Sequence, residues 1–347
     1  MQNVLLNKVK TLEPVFQNRA TAIFGGESSG ILNWNDIKFP HWYKMYKRLL
    51  GNFWISDEVN MSSDVKQFPL LSEKEQDTYL KIISLLATLD SSQTRTILLT
   101  SLYSTDPSVQ SILAVIAQQE AVHNESYSYI LSSVVSLDKQ NQAFDIGRKD
   151  PILLKRNKQL MEIYNAFAER PTIENIIKVL IYSTLLEGLF FYSGFAFFYN
   201  LARQNKMVGT STMISYINRD ELEHGRFISE LIRATLAEHP EYNTTKFTNW
   251  VYDSFKKSVE LEIEWSRYVL KDVEGIDLQE MAGFIKYRAN KLLRMIGLSE
   301  YDDNYTENPM KWIRAYVDNF DRTKTDFFEQ KSRSYTKVSD LNGFDEL

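Results

Sequence analysis

Two copies of one four-residue pattern constrain this chain more than any other feature. Glu120 and His123 bound the first, "EAVH", and Glu221 and His224 the second, "ELEH". In an α-helix, positions i and i+3 lie about 60° apart on one face and about 4.5 Å apart along the axis, so each acid and its histidine can share a target. Each pair follows a lone acid in an apolar run. Asp90, 30 residues before Glu120, comes after "IISLLATL", and Glu187, 34 residues before Glu221, sits between "LIYSTLL" and "GLFFYSGF". An isolated carboxylate in such a place costs on the order of several kcal/mol unless it is paired or bound to a metal. A single Glu-x-x-His in a chain with 45 acids is a weak signal, most often a solvated helix face. Two that use half of the four histidines, each behind an acid in an apolar helix, form an approximate duplication whose four helices have to converge.

Apolar residues recur at helical spacing from Glu73 to about Tyr103, with Leu80, Ile83, Leu86, Leu89 and Ile97 on the repeat and Asp90 near the middle. The same reading predicts helices at about 108–136, 173–204, 211–238, 244–270 and 277–297, separated by Pro or Gly signals at Pro107, Pro171, Gly209 and Pro240. Strand-like alternation is scarce, so the expected class is all-α. Two acids, two acid–histidine pairs and four long helices match the dimetal carboxylate site of ferritin-like bundles. Four carboxylates and two imidazoles without a thiolate suit iron or manganese better than copper, and six donors exceed what a structural zinc takes. Two Fe or two Mn per chain are therefore expected, and ligand type alone does not separate them. Asp220, about 60° from the centre of the ligand face, is placed to accept from the far nitrogen of a liganding histidine. Tyr127, four residues after His123, stays on the ligand face, whereas Glu125 and Tyr129 turn away. Phe191, Phe195 and Ile217 stand one or two turns from Glu187 or Glu221, which allows an apolar shell around the phenol. Taken alone, Tyr127 reads more often as an ordinary core tyrosine.

The balance of 45 acids against 40 bases gives a net charge of -5, which offers neither a basic footprint for nucleic acid nor a polybasic membrane anchor. With no cysteine, disulfides, thiolate metal sites and thiol catalysis by this chain are excluded. The uncharged stretch at 188–202 is 15 residues long, short of a membrane span, and reads as a core helix. The N-terminus lacks the pattern of a secretory signal, so a cytoplasmic location is expected. Residues 1–35, with the turn-rich "FGGESSG", read as a loosely ordered arm that gives way to order near Trp34. Residues 36–325 read as the helical domain, and the polar segment 326–347 as a flexible tail.

Together these residues resemble the small, radical-generating subunit of class I ribonucleotide reductase. The specific parts are "FWISDEV" at 53–59, "LATLDSSQ" around Asp90, "EAVHNESY", "LLEGLFFYSGF", "RDELEH" and the "YTKVSDLNGFDEL" ending. The form of "LEGLFFYSGF" is most similar to the class Ib branch. The resemblance implies metal ligands at Asp90, Glu120, His123, Glu187, Glu221 and His224, and a tyrosyl radical at Tyr127. It implies a transfer route through Trp54, Asp220 and His123 that continues through Tyr335 in the tail. It further implies a homodimer whose tail docks into a large subunit carrying the nucleotide and the cysteines, and, with manganese, a flavodoxin-like activator. Read on their own, Trp54 is as well a core aromatic, Tyr335 a solvent-exposed tail residue and Asp220 a cap. His41 and His239 are expected to be structural or surface residues. Glu223 departs from the family, which usually has a small or apolar residue there; its helical phase points it about 120° away from the ligand face. The rival readings are a stand-alone ferritin-like dimetal oxidase and an iron store.

Overall fold

A computed structural model describes residues 5–317, so Tyr335 and the tail at 326–347 lie outside the described residues. The helices, in chain order, are α1 (Trp42–Gly51), α2 (Ser62–Gln67), α3 (Glu73–Ser101), α4 (Pro107–Val134), α5 (Leu137–Lys149), α6 (Pro151–Glu169) and α7 (Ile173–Leu185). After a π-helical turn, Leu186–Phe190, come α8 (Tyr192–Arg203), α9 (Val208–Glu238), α10 (Thr245–Leu270), α11 (Leu278–Met295) and the short α12 (Arg314–Val317). Among the described residues there is no strand, only two isolated bridges.

The helix starts are written in the sequence. Ser72 and Glu75 form a reciprocal capping box at α3, with the Ser72 side chain accepting from the Glu75 N–H and Glu75 accepting from the Ser72 N–H. Asp106 and Asp150 cap α4 and α6, each followed by proline at the first helical position. The start of α9 is capped from a distance: the Asp64 carboxylate on α2 accepts from the backbone N–H groups of Gly209 and Thr210 at 2.9 and 2.7 Å. This satisfies donors that Met207, in a left-handed conformation, leaves open.

Helices α3, α4, α7 with α8, and α9 surround the core, while α11 packs on α7 and the π-helical turn, and α10 on α7 and α8, from outside. The expected single helix at 173–204 is two helices with a π-helical turn at Glu187. Every residue from Ile176 to Leu201 except Lys178 is buried, so no amphipathic period marks the inserted residue. By length and composition the run Ile173–Arg203 passes as a membrane span, but 94% of its most apolar window is buried inside the fold. It is a core element. Helices α1, α5 and α6 were not delimited from sequence; α5 buries only Ala143 and Gly147, which leaves its period weak.

From residue 5 onward the N-terminal arm is tied to the helices. Its backbone bonds to the ends of helices, with Leu6 N–H donating to Pro171 O at 2.8 Å and Thr105 N–H donating to Ile23 O at 2.7 Å. Ile23 and Phe24 are fully buried, and the Ile23 N–H donates to Glu238 on α9. The turn residues that suggested looseness shape a strap: Gly25 and Gly30 have positive φ, which lets the chain reverse.

Candidate metal centre

Asp90 projects from α3, Glu120 and His123 from α4, Glu187 from the π-helical turn, and Glu221 and His224 from α9. All six are buried to within 1% of complete exclusion. They form two overlapping groups, Asp90–Glu120–His123–Glu221 and Glu120–Glu187–Glu221–His224, and within each group one donor atom per residue lies within 4.8 Å of all the others. Glu120 and Glu221 belong to both, so they are the residues able to bridge two ions. The duplication in the sequence becomes a near-symmetric pair of half-sites in space.

Both histidines turn Nδ1 inward. His123 Nδ1 lies 3.0 Å from Glu221, and His224 Nδ1 lies 3.2 Å from Glu120 and 3.1 Å from Glu221. Their outer nitrogens are engaged elsewhere: His123 Nε2 is 3.3 Å from Asp220 Oδ2, and His224 Nε2 is 2.9 Å from Gln119 Oε1. An acceptor at the outer nitrogen fixes the tautomer that leaves Nδ1 free to bind a cation. Asp220 thus stands where helical phase placed it. It also accepts from Trp54 Nε1 at 2.7 Å through the same oxygen, so Trp54, Asp220 and His123 form one buried chain.

The donor atoms are short of partners. Both oxygens of Asp90 and Glu120, one each of Glu187 and Glu221, and His123 Nδ1 are buried without a hydrogen bond. Four carboxylates cannot all stay ionised in so small a dry volume. Burial, then the charges of Glu120 and Glu221, push the Asp90 and Glu187 carboxyls well above the usual range. Burial also opposes the charge on Glu221, but a hydrogen bond from Glu187 and the neighbouring imidazoles outweigh it and hold Glu221 ionised. Burial opposes charge on His123 and His224 as well, yet the surrounding carboxylates raise both imidazoles. Without cations the cluster is held by protons, and divalent ions would displace them. The orphaned oxygens and this donor set fit two ions of iron or manganese. Adding Mn(II) to metal-free protein is expected to raise its thermal midpoint by several degrees, since a hundredfold excess over Kd adds about 2.7 kcal/mol per site. Differential scanning calorimetry with and without a chelator checks this.

Tyr127 is fully buried on the same face of α4. Burial first, then the adjacent Asp90 charge, raises its phenol, although no oxygen stands at ordinary hydrogen-bond distance. Glu223 lies outside both groups and pairs with Arg48 at 3.1 Å, as its phase required. His41 and His239 pair with Glu230 and Glu241 away from the centre. Three polar residues that touch the site were not anticipated. Gln93 donates to Glu187 Oε1, Tyr164 donates to Gln93 Oε1 at 2.6 Å, and Gln119 accepts from His224. Gln93 was legible, one turn after Asp90 on the same face. Tyr164 was not, because it sits on α6 and reaches the site only through packing.

A four-helix core with paired Glu-x-x-His residues and two further carboxylates around a dry centre defines a ferritin-like dimetal carboxylate protein. More specifically, residues 31–309 match the family described as "Ribonucleotide reductase, small chain", and the chain belongs to that family. It is similar to the ribonucleoside-diphosphate reductase subunit beta of Halalkalibacterium halodurans, at 46% identity over 343 residues covering 99% of each chain. Among solved structures it resembles the ribonucleotide reductase R2 subunit from Clostridium botulinum, with a TM-score of 0.88, 35% identity, and coverage of 90% of this chain and 99% of that one. It resembles the dimanganese(II)-NrdF of Streptococcus sanguinis at a TM-score of 0.70 and 26% identity, covering 79% and 94% of the two chains.

Proposed function

We propose that this chain is the small subunit of a cytoplasmic ribonucleoside-diphosphate reductase, that it generates and stores a radical on Tyr127, and that it passes the oxidising equivalent to a large subunit. The observation that carries the reading is the pair of donor groups sharing Glu120 and Glu221, with the Tyr127 phenol set against Asp90 at their edge. Bound there, two iron or manganese ions activated by an oxygen-derived oxidant supply the one-electron oxidising power. Asp90, Glu120, His123, Glu187, Glu221 and His224 are the residues that would hold them.

Tyr127 gives up one electron and its phenolic proton; Asp90, freed of its own proton when it holds a cation, is the carboxylate whose charge acts most on the phenol and accepts that proton once the two come within hydrogen-bond reach. The raised phenol keeps the side chain protonated, hence a poor electron donor, until it is oxidised. Complete burial then keeps water and reductants from the radical. On the opposite side, Trp54 donates its indole N–H to the Asp220 oxygen that also faces His123 Nε2. That shared carboxylate lets a proton move as an electron moves along the chain, and it joins the centre to the indole of Trp54. Tyr335, in the tail, is the next carrier in this reading. The protein works as a homodimer whose tail docks on the large subunit, and manganese as native metal would call for a flavodoxin-like activator.

Deleting residues 330–347 tests the reading against a stand-alone oxidase, which needs no tail. The truncated protein is expected to form the same tyrosyl signal in electron paramagnetic resonance and to support no nucleotide reduction with the large subunit. Native nucleotide reduction by the truncated chain would refute the role of the tail; an oxidase activity unaffected by the deletion, with no nucleotide reduction by the full chain, would restore the oxidase.

A further inference from the structure

Two arginines are among the largest fully buried side chains, and neither belongs to the donor set. Arg156 on α6 donates through Nη2 to the carbonyl oxygen of Phe190 at 2.7 Å. Arg288 on α11 donates through Nε to the carbonyl oxygen of Gly188 at 2.9 Å. Both acceptors lie in the π-helical turn that carries Glu187. Each guanidinium also lies over an aromatic ring in or just past the turn, Arg156 at 4.4 Å from the Phe190 centroid and Arg288 at 3.5 Å from that of Tyr192. Helix α11 approaches so closely that a Cβ on Gly188 would collide with Leu292.

Burying a guanidinium is costly unless its charge and its donors are met. Arg156 is paired with Glu262 on α10, which also accepts from Ser193 just past the turn. Arg288 is buried with its Nη1 lacking a hydrogen bond. What Arg288 does make is the bond to the Gly188 carbonyl and the stack on Tyr192, both at the turn. A π-helical turn interrupts the α-helical bonding pattern and leaves carbonyls that need donors from elsewhere. The planar fork of arginine supplies such donors while stacking on a ring, which lysine does not do.

We infer that Arg288 and Arg156 are positioning residues that clamp the backbone of the π-helical turn from outside and so hold Glu187 at the half-site it shares with His224. Gln93 holds the same residue by its carboxylate. The clamp therefore bears on the group Glu120–Glu187–Glu221–His224 and leaves Asp90–Glu120–His123–Glu221 untouched. This inference rests on the dimetal reading.

Arg288 is the residue to change, because removing Arg156 would strand the buried Glu262 carboxylate. Full-length metal-free protein is titrated calorimetrically with Mn(II) alone for the native chain, Arg288→Lys and Arg288→Met, and amide hydrogen exchange is followed for residues 186–192. The native chain is expected to bind two ions. In Arg288→Met one of the two is expected to bind about 10-fold more weakly, the usual scale for loss of an outer support at a metal site. The other ion keeps its affinity, and amides in the turn exchange faster. Arg288→Lys falls between, and alone preserves the test should Arg288→Met not fold. A variant with a lower melting temperature but two native Mn(II) affinities would show a merely structural role and overturn the clamp, as would equal weakening of both ions. If the native chain itself fails to bind two ions, the dimetal reading falls instead.

Discussion

Replacing Tyr127 by phenylalanine is expected to abolish the tyrosyl signal and reduce nucleotide reduction to the level seen without this subunit, while two metal ions still bind. The phenol oxygen is buried without a hydrogen-bond partner, so its removal takes away an unmet polar group and breaks no bond of the fold. Such a group costs about 1–3 kcal/mol on protein mutational scales, which makes the variant as stable as the parent or more so. Its loss of activity would therefore not be a folding defect. The measurement is electron paramagnetic resonance of metal-free protein loaded with iron or with manganese and then oxidised, native and Tyr127→Phe side by side. An unchanged tyrosyl signal in the variant would move the radical to another residue; Tyr164, buried and bonded to Gln93 and Ser183 near Glu187, would be the first to examine. A native chain that shows no radical but retains turnover would place the oxidising equivalent on the metals.

The second large effect is expected at a shared carboxylate. Glu221 lies 3.0 Å from His123 Nδ1 and 3.1 Å from His224 Nδ1, and it belongs to both donor groups. Glu221→Ala should take Mn(II) binding from two ions per chain to none, whereas Asp90→Ala, which alters one group only, should leave one. The thermal gain from Mn(II) should vanish with Glu221→Ala and be about halved with Asp90→Ala. Elemental analysis after gel filtration and calorimetry provide both readings. Equal stoichiometry in the two variants would mean that the centre is not bridged as the donor groups indicate. Circular dichroism of metal-free Asp90→Ala should match the native chain, since the mutual repulsion of buried acids is eased when one is removed.

Helical phase carried far in this protein because the chemistry sits on long helices with little irregularity. Spacing alone put Glu120 with His123, Glu221 with His224, Tyr127 on their face, Asp220 beside them and Glu223 outside. The structure keeps each of those relations, since a helix of 28 or 31 residues has no freedom to rearrange its own faces. The lone acids Asp90 and Glu187 were legible for a different reason: carboxylates within apolar runs need an explanation that only pairing or a cation provides.

What remained hidden depends on relations between elements. No local pattern shows that α7 and α8 meet at a π-helical turn, because a helix buried on all sides has no polar face to mark a slipped register. Nothing local shows that Tyr164 reaches Gln93, that Gln119 rather than an acid meets His224, or that arginines on α6 and α11 converge on the turn around Glu187. Along residues 5–35 the glycines signal turns, and only contact with the ends of α3, α7 and α9 makes those turns a strap. By itself the sequence determined which side chains share a helix face and which of them cannot lie buried alone. Tertiary packing decided which faces meet, because that choice rests on apolar shape complementarity and on bonds between distant segments, and neither leaves a periodic trace in the chain.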